Sequence, residues 1–330
     1  MIRILSLLAL ASAILLTSCS SDSKRFTISG RFLNMNQGEL YIYSYNGATD
    51  GVDTIKVNGG RFAADIPCQR KGTVMMIFPN FSETPIFAEP GKSVDIKADA
   101  SHLKEMSVKG TEDNELMTEF RQAILSQTPP QVVKTAENFV RDNTESQVAV
   151  YLIKKYFVGS GKPEYIHKGK ELLGIVGKAQ PKNGDVAKLK QSAAMLLASC
   201  KGNKLPTFSA TSVNGQQISN ATLKGKKCII CAWASWSYDS ENMIRRINSL
   251  SNHYNVVAIG INVDASRKDC RNAMERNTLD IPVVCDEKLF ESKLLATLGL
   301  NAVPDNIIID AGGTVIARGV ATDDIENYLR

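Results

Sequence analysis

The period of the apolar residues changes twice along this chain, and each change marks a different kind of packing. From residue 26 to 108 apolar and polar positions alternate in short runs. Phe26, Ile28 and Phe32 set one face, followed by Leu40 with Ile42, Ile55 with Val57, Phe62 with Ile66, Val74 with Met76 and Phe78, and Val94 with Ile96. A repeat of two is that of strands with one buried face. Asn46-Gly47, Asn58-Gly59-Gly60 and Pro90-Gly91 punctuate the runs as turns. Short strands at this spacing predict an antiparallel β-sandwich over 26–108. Tyr41, Tyr43 and Tyr45 fall on one face of a strand, which fits either cross-strand packing or a platform for a sugar or peptide.

From Thr111 the repeat becomes helical. Thr111 is placed to cap a helix bearing Leu116, Phe120, Ala123 and Ile124, which Pro129-Pro130 stops. Further helices are expected around Val133–Val140, Val148–Phe157, Tyr165–Val176 and Val186–Ala198, separated by Gly159-Ser160-Gly161 and Pro181-Lys182-Asn183-Gly184. Residues 111–200 therefore read as a helical spacer. From residue 203 strands and helices alternate. Thr207–Val213 and Gln216–Ile218 form a hairpin about Asn214-Gly215, and Lys227–Ala232 is apolar enough to be buried on both faces. A helix from Tyr238 carries Met243, Ile247 and Leu250. Strands at Val256–Ile261 and Pro282–Cys285 enclose a helix at Arg267–Glu275, and a helix at Leu289–Leu295 follows. The hairpin Asn306–Ile309 with Thr314–Arg318, then a helix at Thr322–Leu329, close the chain. This order predicts an α/β sheet of mixed direction over 203–330. The fold class expected for the whole is multi-domain α+β and α/β: an N-terminal antiparallel β-sandwich, a helical middle region and a C-terminal α/β domain.

The first residues carry targeting information. Arg3 precedes an apolar run, Ile4–Leu16, too short to span a bilayer and shaped like the core of a signal peptide. Leu16-Thr17-Ser18-Cys19 resembles the bacterial lipobox, in which cleavage after residue 18 leaves Cys19 as a lipid-modified N-terminus; a plain signal peptide or an uncleaved anchor is the alternative. Ser20-Ser21-Asp22-Ser23 would then be a short tether holding the protein on a membrane without crossing it. The resemblance, with no Asp directly after Cys19, implies a lipoprotein of the bacterial cell envelope, on the outer membrane and facing the periplasm or the cell surface.

Composition removes other classes. With 43% hydrophobic and 22% charged residues the 330-residue chain is globular. Its +5 charge is spread without a Lys/Arg run interleaved with aromatics, so nucleic acid is not an expected partner. No Cys/His spacing for a metal, no Gly-rich phosphate loop and no flavin or nicotinamide fingerprint is present, so neither metal nor cofactor is expected.

Three stretches, "LPTFSATSVNGQQISNATLKGK", "CAWASWS" and "NAVPDNIIIDAGGTVIARGVA", together resemble the thioredoxin-like family. The likeness is nearest to membrane-anchored disulfide reductases of the cytochrome-maturation type, within the superfamily that includes peroxiredoxin-like alkyl hydroperoxide reductases. Residues 26–108 resemble the domain of unknown function that often precedes thioredoxin-like domains in envelope lipoproteins. The resemblance implies a redox Cys-x-x-Cys directly after Trp-Ala-Ser-Trp, but here Ser237 and Ser240 hold those positions. It also implies that Pro304 is the family's cis-proline, and that Trp236, Ser237, Val303 and Pro304 line a groove for extended polypeptide.

The substitution removes specific chemistry. A helix N-terminus lowers a cysteine pKa from about 8.5 into the range of about 3.5 to 7.5, but it does not bring a serine hydroxyl into that range. Ser237 would need an adjacent general base to act as a nucleophile, and the three histidines, His102, His167 and His253, all lie outside the motif. Ser237 as N-cap with Ser240 at the third helical position is the plain reading, and a serine-based activity is the other. The chain does hold a Cys-x-x-Cys at Cys228 and Cys231, but residues three apart on a strand point to opposite faces. Cys231 lies six residues before Ser237, where many thioredoxins keep a buried carboxylate, and is either a core thiol or a displaced reactive one. Cys68, Cys200, Cys270 and Cys285 complete the thiols, and Cys270 with Cys285 is the expected bridge, although spacing does not fix connectivity.

Three functions fit. The first is a thioredoxin-fold envelope lipoprotein that is redox-inactive and binds polypeptide in a chaperone-like way: oxidoreductase family by resemblance, catalytically inactive by its residues. The second is a thiol-disulfide oxidoreductase or peroxidase using a displaced cysteine such as Cys231. The third is a structural envelope protein whose sandwich binds a glycan or partner.

Overall fold

A computed structural model describes residues 24–330; the leader, Cys19 and the tether Ser20–Ser23 lie outside the described residues. The chain forms two compact units. One runs to Tyr156 and includes Leu172–Val186, and the other holds Phe157–Glu171 and Ala187–Arg330.

The first unit carries β1 (Arg25–Leu33), β2 (Gln37–Tyr43), β3 (Val52–Asn58), β4 (Arg61–Pro67), β5 (Gly72–Ile77), β6 (Glu83–Ala88), β7 (Ser93–Asp99) and β8 (Ser107–Lys109). They hydrogen-bond in the order β6-β5-β2-β3-β4-β1-β7-β8. All neighbours are antiparallel except β1 and β7, which run parallel. β3 and β4 share only the pair Asn58↔Arg61. Phe32 of β1 meets Phe78, just beyond β5, with ring centroids 5.7 Å apart. In a flat sheet four strand spacings of about 4.8 Å would keep β1 and β5 far beyond that reach. The sheet therefore folds over on itself at the β3–β4 seam, in the manner of a sandwich, and the inward faces of all eight strands meet in one core. Gly60 makes the seam: its φ is +72°, and an added Cβ would lie 2.7 Å from the Phe32 carbonyl oxygen.

Helices α1 (Glu112–Ile124), α2 (Pro129–Asp142) and α3 (Gln147–Leu152) follow, then a wide turn at Ile153–Phe157. Asn114 of α1 is buried and bonds both backbone groups of Phe87, its Nδ2 donating to the carbonyl at 2.7 Å and its Oδ1 accepting from the amide at 3.0 Å. Pro129 and Pro130, expected only as a stop, in fact open α2. They occupy its first turn, where a missing N–H costs nothing, behind a capping box of Thr128 and Gln131. Tyr45 differs from expectation too. It lies past the end of β2, under the Lys154 ammonium at 3.3 Å from its ring, so the three tyrosines do not form one strand stripe. α4 (Pro163–Ala179) and α5 (Gly184–Ala198) contribute residues to both units.

The second unit continues with β9 (Ser209–Thr211), β10 (Gln217–Ser219), α6 (Asn220–Leu223), β11 (Cys228–Trp233), α7 (Tyr238–Tyr254), β12 (Val257–Asn262), α8 (Arg267–Arg276), β13 (Val283–Val284), α9 (Lys293–Leu298), β14 (Asp305–Ile309) and β15 (Val315–Arg318). β9 and β10 form the leading hairpin, shorter than its apolar pattern had implied. The central sheet has the order β13-β12-β11-β14-β15, with β11, β12 and β13 parallel and β14 and β15 antiparallel. β11 is buried along its whole length. Ile229, Cys231 and Trp233 enter the core on one face, and Cys228, Ile230 and Ala232 enter the core on the other. The last expected helix is a 3-10 segment, Thr322–Tyr328. This mixed sheet with helices against it is the thioredoxin-like α/β arrangement. Among the described residues no helix is long and apolar enough to cross a membrane.

Candidate functional site

In α/β sheets ligands meet the loops at the carboxyl ends of the parallel strands. Here that edge carries Ala234–Ser237 after β11, Val263–Ser266 after β12 and Cys285 after β13. The antiparallel pair Ala232↔Asp305 places Val303 and Pro304, which lead into β14, beside the segment leaving β11. The sheet thus brings Trp236, Ser237, Val303 and Pro304 to one edge. The Val303–Pro304 peptide bond is cis.

The loop between β11 and α7 is held by Asp264, a buried side chain whose Oδ1 accepts from the Ser235 amide at 2.9 Å and whose Oδ2 accepts from Asn262 at 3.0 Å. The sequence reading did not single out Asp264; the signal was a polar Asn-x-Asp directly after an apolar strand. With the loop fixed, Trp236 and Tyr238 project to solvent on either side of Ser237, 62% and 75% exposed. Large aromatics at such exposure are unusual on a folded surface unless something covers them.

Ser237 is the N-cap of α7, its hydroxyl oxygen accepting from the Ser240 amide at 3.3 Å. Ser240 is fully buried and, among the described residues, its hydroxyl has no hydrogen-bond partner. The two serines therefore have opposite energetic signs. Ser237→Ala is expected to cost about 1 kcal/mol by removing the cap, whereas Ser240→Ala is expected to stabilise by about 1 kcal/mol by removing an unmet hydroxyl. Urea unfolding midpoints of the two variants check this, and equal losses in both would contradict the assignment. Among the described residues Ser237 has no histidine or carboxylate hydrogen-bonded to it, so the geometry supplies no base for a serine nucleophile.

Cys231 is buried in the middle strand, opposite Asn306 on β14 and Gly260 on β12. Burial pushes its thiol well above the ordinary cysteine range, and the nearby Asp305 carboxylate adds to the shift. It is held as a neutral packing group. Cys228 faces the opposite core, and burial raises its thiol as well. Gly260 is required beside this strand, because an added Cβ would lie 2.9 Å from the Trp233 indole nitrogen.

Beyond Pro304 a cavity of about 570 Å³ opens, lined among others by Ile166, Leu196, Cys200, Pro304, Asp305 and Arg318. Burial raises the Asp305 carboxyl, and the Arg318 guanidinium, 3.3 Å away, partly offsets this. Arg318 also donates to the Ser199 hydroxyl and the Gly299 carbonyl, tying three segments to β15. Among the described residues no group of three or more His, Cys, Asp or Glu side chains is placed to hold a metal ion.

A thioredoxin-like fold whose helix-start positions carry serines defines the class of this domain. Comparison with known families agrees with the fold: residues 201–318 match the AhpC/TSA family, and residues 26–117 match a domain of unknown function, DUF4369. The chain thus carries an AhpC/TSA thioredoxin-like domain behind a DUF4369 domain. Among solved structures it is similar to the C-terminal domain of a protein described as a thiol-disulfide oxidoreductase from Bacteroides thetaiotaomicron, at 25% identity and a TM-score of 0.36, over 40% of this chain and 97% of that one. It is also similar to a thiol-disulfide oxidoreductase from Bacteroides fragilis, at 22% identity and 0.36, over 38% and 97%. A thiol:disulfide interchange protein of the thioredoxin family from Chlorobium tepidum matches at 22% identity and 0.34, over 39% and 95%. None of the curated proteins compared with the chain matches it.

Proposed function

We propose that this protein is a redox-inactive, thioredoxin-fold lipoprotein of the bacterial envelope that binds extended polypeptide. The observation that carries the reading is the pair of exposed aromatics, Trp236 and Tyr238, flanking a capped Ser237 at the edge shared with Val303 and Pro304. Among the described residues Val303 has no backbone hydrogen-bond partner, so its amide and carbonyl are open to an added strand. Binding of this kind needs backbone groups and apolar area but no thiol. Cys19, lipid-modified, anchors the protein to the outer membrane.

Trp236 is exposed and Trp233 is buried, so indole fluorescence separates the two. Titration with an unfolded, carboxymethylated polypeptide is expected to perturb the Trp236 emission reversibly, and calorimetric titration of Trp236→Ala is expected to show binding weakened by about tenfold or more, as for an interface anchor. Unchanged affinity in Trp236→Ala would count against the groove. A displaced-thiol oxidoreductase using Cys231 finds less support, because that sulfur is buried and its thiolate disfavoured.

A further inference from the structure

The cavity beyond Pro304 is lined wholly by residues of the second unit. Its volume of about 570 Å³ falls within the roughly 300 to 1,000 Å³ usual for small-molecule sites. Part of its wall is apolar, with Ile166, Leu196 and Ile316. Its charged residues do not balance: Lys162, Lys201 and Arg318 stand against one carboxylate, Asp305. Arg318 and Asp305 pair with each other at 3.3 Å, and the guanidinium also donates to the Ser199 hydroxyl and the Gly299 carbonyl. Lys162 and Lys201 remain, both exposed and, among the described residues, without an ion pair. With Asp305 held by Arg318, the two lysines set the charge of the cavity.

We propose that this cavity binds a carboxylate carried on an apolar body, the chemistry shared by the C-terminal residue of a polypeptide and a free N-acylated amino acid. The apolar body packs on Ile166, Leu196 and Ile316 and is withdrawn from water. The carboxylate accepts charge-assisted hydrogen bonds from Lys162 and Lys201. A wholly apolar ligand would leave both ammonium groups to water, and a cationic one would meet two like charges. A bare inorganic anion would gain nothing from the apolar wall. Cys200 gives the site its own reporter. Its sulfur lies 3.3 Å from the Leu196 carbonyl, it lines the cavity, and among the described residues it is the one cysteine that is not buried.

The test labels the native full chain with N-ethylmaleimide while N-acetylphenylalanine is titrated in, and follows the label on Cys200 by peptide mapping. Labelling is expected to slow along a binding curve, to about a tenth of its free rate at ten times the dissociation constant. N-acetylphenylalaninamide, the same body without the charge, is expected to bind about tenfold or more weakly. Lys162→Gln/Lys201→Gln is expected to erase that preference for the acid, and because both lysines are exposed the variant keeps the wild-type melting temperature. A peptide ending in a phenylalanine carboxylate, compared with its C-terminal amide, separates the two sources. Protection by the peptide acid assigns the cavity to polypeptide C-termini, and protection by N-acetylphenylalanine alone assigns it to small acids. Trp236 emission recorded with the same peptide reads the groove separately, so the cavity and the groove can fail independently. Equal protection by acid and amide, or no protection of Cys200 by either acid, overturns the assignment.

Discussion

With the wild-type protein, reduction of insulin disulfides by dithiothreitol is expected to proceed at the rate of the uncatalysed control, whereas the Ser237→Cys/Ser240→Cys double variant is expected to accelerate it. The size of the gain follows from thiolate population. At neutral pH a cysteine of pKa about 8.5 is about 3% thiolate, and one lowered to about 7 at a helix start is about half thiolate, so about a fifteenfold gain over an ordinary surface thiol is expected. The scaffold for that shift is present. Ser237 stands at the N-cap of the 17-residue helix α7, and Ser240 is buried one turn along it. A thiol at 240 would also fill a site where the hydroxyl now has no partner. Wild-type turnover lost in Cys231→Ala would favour the displaced-thiol reading.

Cys19→Ala is expected to move the protein from the membrane fraction to the soluble fraction almost completely. Each buried methylene of an acyl chain contributes about 0.8 kcal/mol to membrane binding, so losing the lipidated cysteine removes an anchor of many such groups. Among the described residues no helix can take over by spanning the bilayer. Fractionation of cells making wild type and variant is the check, and membrane association that persists in Cys19→Ala would contradict lipid anchoring.

The sequence made much of this site legible because its signals are local. Ser237 followed by a helical apolar repeat at Met243, Ile247 and Leu250 marks an N-cap, and the structure has it there. The period-two runs gave the inward residues of the sandwich, from Phe26 to Ile96, because strand alternation depends only on neighbours in sequence. The parallel pairing of β1 with β7 had no such signal, since it joins segments more than 60 residues apart. Pro129-Pro130 shows a different limit. Two prolines end one helix and begin another with equal ease, and only the Thr128–Gln131 box distinguishes the cases. Asp264 was hidden for a third reason: a buried carboxylate holding a loop amide looks in sequence like any polar residue after a strand. The separation of Cys228 from Cys231 followed from strand geometry, whereas spacing alone did not fix the expected Cys270–Cys285 bridge, and in the structure both are free thiols.

The proposed polypeptide groove is the edge built by Trp236, Ser237, Val303 and Pro304, where serines hold the helix-start positions. Backbone amide perturbations of the full chain, mapped while an unfolded envelope polypeptide is titrated in, test it most directly. The perturbations are expected to cluster on Trp236–Tyr238 and on Val303 with its neighbours, and to fade in Trp236→Ala. Perturbations that gather instead on the sandwich around Tyr41 and Tyr43, and leave Trp236 and Val303 unmoved, would contradict the groove and assign binding to the N-terminal domain.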